Sequence, residues 1–131
     1  MKHFLLKFNY GVEIGARLAY LGHFKRTKDK TIAQIAQDEM DHQIMLNTIL
    51  TCNGQRPSVF INFPFLVIGN FIRLACLVCP LFMLDFVARS MEAFAIVNYR
   101  YLATRYPDFE GTLRVMADKE QEHQEFFRRG K

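Results

Sequence analysis

Two stretches of this chain repeat one arrangement of metal-binding side chains, Glu39-Met40-Asp41-His42 and Glu120-Gln121-Glu122-His123. Residues three apart on a helix share a face, so each stretch aims a carboxylate and an imidazole in one direction. With seven glutamates and four histidines among 131 residues, chance supplies only about 0.2 Glu-x-x-His pairs. Both pairs also lie on apolar stripes, one between Ala36 and Leu46 and the other between Ala117 and Phe127. A bare carboxylate does not belong on such a stripe unless it is paired or bound to a metal.

Two further glutamates complete the pattern. Glu13 sits among Leu6, Ala16 and Tyr20, and Glu92 among Ala88, Ala95 and Tyr99. One Glu from each of two helices, with Glu-x-x-His from each of two others, is the ligand set of di-iron and di-manganese carboxylate bundles. Glu13, Glu39, His42, Glu92, Glu120 and His123 are therefore the candidate metal ligands. Their oxygen and imidazole donors suit a pair of divalent ions, and four carboxylate charges balance two such ions. Iron and manganese both suit this ligand set, with zinc as a substitute.

Helical hairpins must position these residues. Apolar periodicity predicts helices over about 3–25, 30–52, 81–106 and 109–128, with breaks at Lys25–Lys30, Asn53-Gly54, Pro80 and Tyr106-Pro107. Asp108 after Pro107 is a candidate N-cap. Between the second and third helices lies an apolar crossover of about 28 residues, expected to be partly helical. The reading is all-α: a ferritin-like four-helix bundle with one long crossover, forming a single domain over 1–131. The midpoints of Glu13/Glu39 and Glu92/Glu120 fall near the two hairpin turns, so antiparallel packing brings each pair to one level. Glu13-x-x-Ala16-x-x-x-Tyr20 also matches Glu92-x-x-Ala95-x-x-x-Tyr99, which marks the hairpins as copies of one another.

Other residues carry weaker signals. Asp38, Asp41 and Glu122 are placed either to hold the outer nitrogen of a ligating histidine or to face solvent. Tyr20 and Tyr99 stand about two turns beyond Glu13 and Glu92, as site residues or as core tyrosines bonded to carbonyls. His23 falls on another face and is not expected to bind metal. Cys76-x-x-Cys79 has apolar neighbours and no second such pair, and an odd total of three cysteines speaks against a disulfide framework.

Composition narrows the classes. Lys+Arg outnumber Asp+Glu 17 to 13, giving +4 and a pI near 9.1, and no nucleic-acid-binding signature accompanies the charge. No secretion signal is evident at Met1-Lys2-His3-Phe4. The apolar region Val59–Leu84 is interrupted by Asn62, Pro64, Asn70, Arg73 and Pro80, too often for a span of ~20 residues. A cytoplasmic protein lying on the inner or plasma membrane surface is expected. The alternative use of the crossover is a homodimer interface.

Glu13-Ile14-Gly15-Ala16-x-x-x-Tyr20-x-Gly22, the two Glu-x-[Asp/Glu]-His motifs and Arg56-Pro57-Ser58 ahead of the crossover resemble the demethoxyubiquinone hydroxylases. The similarity covers roughly residues 9–127. These are ferritin-like di-iron monooxygenases of ubiquinone biosynthesis. The resemblance implies iron at the six ligands named, O₂ as co-substrate, a quinone-like lipid ring as substrate, an external electron donor and peripheral membrane association. It implies a place for Tyr99 beside the quinone and the metals. Family members commonly carry a histidine just before that tyrosine, where this chain has Asn98. The alternative within the superfamily is a ferroxidase or other iron-binding protein, or a rubrerythrin-like peroxidase. In the hydroxylase reading Ala16 and Ala95 leave room for a ring, and the crossover covers the entrance to it.

Overall fold

The structure is a computed structural model that describes residues 3–129. Among the described residues it is all-helical, with five α-helices and no strand. They are α1 (Phe4–Thr27), α2 (Lys30–Cys52), α3 (Val59–Ala75), α4 (Leu81–Arg105) and α5 (Glu110–Arg129). The chain divides into two compact units, Met1–Cys79 with α1 to α3 and Pro80–Lys131 with α4 and α5.

In the first unit α1 runs two residues further than its periodicity predicted. Lys28 then takes the left-handed conformation (φ 58°), and its N–H donates to the Phe24 carbonyl at 2.7 Å. Asp29 restarts the helix as N-cap, accepting from the Thr31 N–H at 2.8 Å. So short a connection folds α2 back antiparallel on α1. Asn53-Gly54 ends α2 as expected, with Gly54 at φ 66°.

The crossover contains a full helix, α3, whose Ser58 N-cap accepts from the Ile61 N–H. Pro64 sits inside it and withholds one donor from the ladder. α3 runs parallel to α1 along a glycine contact: Phe65 lies against Gly11 and Gly15, Gly69 against Gly15 and Leu18, and Arg73 against Gly22. At about 100° per residue, Gly11, Gly15 and Gly22 lie about 160–200° around α1 from Glu13. The crossover helix therefore packs on the back of α1. It does not cover the Glu13 carboxylate, contrary to the expectation that it would close the site entrance.

The Arg26 guanidinium fastens the far end of α3 by donating to the carbonyls of Cys76 (2.9 Å) and Cys79. On the opposite face of α3, Phe60, Phe63, Val67, Phe71 and Leu74 form an exposed apolar stripe, with Phe60 92% exposed.

The second unit is a hairpin. Tyr106 ends α4, and a single 3₁₀ turn, Pro107–Phe109, precedes α5, so Asp108 lies within that turn rather than at an N-cap. Leu84, Ala88, Ile96, Leu102 and Ala103 of α4 and Leu113, Met116, Ala117 and Phe127 of α5 are buried. Arg100 donates to the Gln121 amide oxygen (3.2 Å), and the Gln124 amide donates to the Arg89 carbonyl (3.3 Å), tying the two helices along their lengths.

The glycine contact generates a prediction. A Cβ at Gly69 would lie 2.8 Å from Gly15 Cα, a backbone atom that has no room to retreat, whereas one at Gly111 would meet nothing within 4 Å. Gly69→Ala should destabilise by about 1–3 kcal/mol through overpacking. Gly111→Ala should gain up to ~1 kcal/mol, because alanine loses less backbone freedom in a helix. Urea midpoints of the two variants should shift in opposite directions.

Candidate metal centre

Each unit holds one Glu, Glu, His triad in its interior. In the first, α1 supplies Glu13 and α2 supplies Glu39 and His42. His42 Nδ1 lies 3.6 Å from Glu39 Oε2 and 3.9 Å from Glu13 Oε2. In the second, α4 supplies Glu92 and α5 supplies Glu120 and His123. His123 Nδ1 lies 3.1 Å from Glu120 Oε2 and 3.8 Å from Glu92 Oε2. The two triads thus share residue types, helix spacing and the same order of distances.

Burial makes this arrangement costly without a cation. All six residues are at most 3% exposed. An ionised carboxylate deprived of water loses several kcal/mol, which must be returned by an opposite charge or by well-formed hydrogen bonds. Within each triad the carboxylate and imidazole donor atoms lie within 4.8 Å of one another. That spacing lets them converge on one divalent ion. Hard carboxylate oxygens with one imidazole per triad suit a divalent cation better than a soft-ligand metal. The donor set therefore fits a buried divalent cation in each unit.

The neighbours separate those that support the triads from those that do not. Ala16 and Tyr20 in the first unit, and Ala95 and Tyr99 in the second, are buried on the same helices as Glu13 and Glu92. Both tyrosines are buried on the same helix stripe as the glutamate of their helix. Asp41 and Glu122 face solvent, where Asp41 accepts from the Gln37 amide (3.1 Å) and Glu122 from Lys119 Nζ (3.0 Å). Asp38 is buried and accepts from the Gln34 amide at 3.0 Å.

One buried polar residue, Asn9, escaped the sequence reading. Asn9, four residues before Glu13, continues the Leu6-Asn9-Glu13-Ala16-Tyr20 stripe, and its amide donates to the Leu5 carbonyl at 2.8 Å. Its position on the ligand stripe was the available signal. His23 is also buried, although it lies off that stripe.

The cysteines are free thiols. Cys76 is buried with its sulfur 3.7 Å from the Ala19 carbonyl, Cys79 is half-buried and Cys52 is exposed. Burial is the main cause that pushes the Cys76 thiol pKa up, and the neighbouring Cys79 adds to it against the opposing pull of Arg26. Cys76 is thus a packing residue.

Comparison with protein-family models, with curated proteins and with solved structures found no match to this chain.

Two predictions follow from the geometry. Glu39→Ala and His123→Ala should each sharply lower the metal content measured by elemental analysis, while a folded His23→Gln variant keeps it. Metal content unchanged in both ligand variants would refute the assignment. Separately, because a raised pKa leaves less thiolate at a given pH, Cys76 should be alkylated last near pH 8 and Cys52 first, as read by mass spectrometry of peptides.

Proposed function

We propose that this chain is an O₂-dependent di-iron monooxygenase that hydroxylates a quinone-like lipid ring, as its resemblance to the demethoxyubiquinone hydroxylases implies. One observation carries the reading: both helical hairpins bury the same Glu, Glu, His triad. Three protein ligands leave open positions on an ion that prefers six. The sequence repeat supports the reading, since it gives a ligand set of pseudo-two-fold symmetry. Glu13, Glu39 and His42 would hold one ion, and Glu92, Glu120 and His123 the other.

A bound iron pair would supply the reduction of O₂ that an all-protein site cannot perform. The chain's own residues would do the rest. The six ligands would fix the ions, and their burial would keep bulk water away. Ala16 and Ala95, each one turn from a glutamate, keep side-chain volume low where a ring would sit. Tyr20 and Tyr99, one turn further, would present hydroxyls to orient that ring. In the balanced reaction one oxygen atom enters a ring C–H bond and the other leaves as water, using two electrons and two protons from an external donor.

A lipid substrate is met at a membrane surface. No helix among the described residues is long and apolar enough to cross a membrane. The exposed apolar stripe of α3 supports attachment from one side, as interfacial helices attach. The same triads would serve a ferroxidase, the second reading, since oxidation of Fe²⁺ asks for the ligands and not for space beside them.

The deciding experiment incubates iron-loaded protein with a quinone, a reductant and O₂. A product heavier by one oxygen atom is expected. Ala95→Leu should bind metal normally yet lose turnover at least ten-fold, once circular dichroism shows it folded, because overpacking costs ~1–3 kcal/mol. If folded Ala95→Leu and Ala16→Leu both hydroxylate at the normal rate, the ring does not bind beside them. If the wild type oxidises Fe²⁺ and hydroxylates no quinone, the ferroxidase reading takes over.

A further inference from the structure

The edge between α1 and α3 has a feature that the triads do not use. A surface pocket of about 230 Å³ is lined by Lys25 of α1, by Asn70, Arg73 and Leu74 of α3, and by Leu77 just beyond it. We propose that it binds the phosphate headgroup of an anionic lipid. The proposal rests on the membrane-facing part of the reading above and is independent of the metal chemistry.

The construction of the pocket points to an anion. Gly22 lets the α3 backbone come against α1, since a Cβ there would lie 2.7 Å from Arg73 Cα and from the Arg73 carbonyl oxygen. Lys25 follows one turn later on α1, so two cations from different helices are held beside one cavity. Both are exposed, and neither forms an ion pair with a carboxylate among the described residues. Two like charges kept together with no carboxylate between them repel each other mildly until an anion arrives. Arg26, the next cation along, is committed to the carbonyls of Cys76 and Cys79 and holds the chain after α3 in place. Asn70 donates one amide hydrogen to the Leu66 carbonyl, which orients its amide and leaves the second hydrogen available. A guanidinium, an ammonium and an amide N–H are complementary to phosphate oxygens.

The apolar walls select a lipid rather than free phosphate. Leu74 and Leu77 are 66% and 49% exposed, and Phe71, on the same helix as Leu74, is 72% exposed. Inorganic phosphate gains nothing from such walls. An amphiphile whose phosphate sits between Lys25 and Arg73 would lay its acyl region over the α3 stripe, burying surface that water otherwise covers. A basic site at the edge of an apolar face is also where a leaflet presents its charge.

The test uses the full chain and co-sedimentation with phosphatidylcholine vesicles, with and without phosphatidylglycerol. Wild type should prefer the vesicles containing phosphatidylglycerol. The double variant K25Q/R73Q should bind them about thirty-fold more weakly, from the usual contribution of two basic residues at an anionic surface. K7Q/R56Q removes the same charge from the first turn of α1 and from the connection ahead of α3, and should change binding by no more than a few-fold. Equal losses in both double variants, or none in K25Q/R73Q, would overturn the proposal. Inorganic phosphate bound tightly without vesicles, in a manner abolished by K25Q/R73Q, would overturn the lipid assignment in favour of free phosphate. Metal content is measured throughout. It should not move, so failure here leaves the metal reading untouched and loss of metal elsewhere leaves this one untouched.

Discussion

Carboxylates taken out of water are the constraint on which the structure turns. Each hairpin places two glutamates where side chains are otherwise alanine, leucine, isoleucine and tyrosine. Born-type desolvation sets a cost of several kcal/mol per ion, far more than any surface pairing in this chain returns. The imidazole beside each pair lies 3.1–3.9 Å from the carboxylate oxygens and offsets part of that cost when protonated. Two negative charges against one cationic ring still leave an excess. A divalent ion removes it, which makes the triads costly as packing and well suited to metal.

The rest of the first unit follows from α1 having two incompatible faces. One carries Glu13 and must turn inward toward α2. The other carries Gly11, Gly15 and Gly22 and admits the backbone of α3 at close range. Since these faces lie on opposite sides of the helix, α1 is enclosed between its two neighbours. Residues that served no evident purpose in the linear sequence thereby acquire one. Gly69 meets Gly15, Phe65 stacks edge-on with Phe8 at 5.1 Å, and Arg26 satisfies carbonyls left open where α3 ends. The outward side of α3 is left apolar and exposed, the usual mark of a surface that meets something other than water.

The cysteines show how much environment decides. A Cys-x-x-Cys pair can be a redox or metal motif, yet reactivity requires an accessible thiolate. Cys76 instead is buried against α1, and that burial disfavours its thiolate. The metal-binding potential of this chain rests in oxygen and imidazole donors, not in sulfur.

By itself the sequence determined which residues share a face. Helical periodicity put Glu13 with Ala16 and Tyr20, Glu39 with His42, Glu92 with Ala95 and Tyr99, and Glu120 with His123. Those positions depend on a backbone repeat of 3.6 residues and need no distant partner. The breaks at Asn53-Gly54 and Tyr106-Pro107 were legible for the same reason, because glycine and proline act on their own backbone. Only the tertiary structure decided that α3 would lie behind α1, that Arg26 would be spent on the end of α3, and that His23 would be buried. It also placed Arg73 beside Lys25. Glycine spacing marks a surface open to close approach without naming the helix that will use it. A cation records its charge in the sequence, but which carbonyl, phosphate or solvent it meets depends on chain segments tens of residues away, and local periodicity carries no information about them.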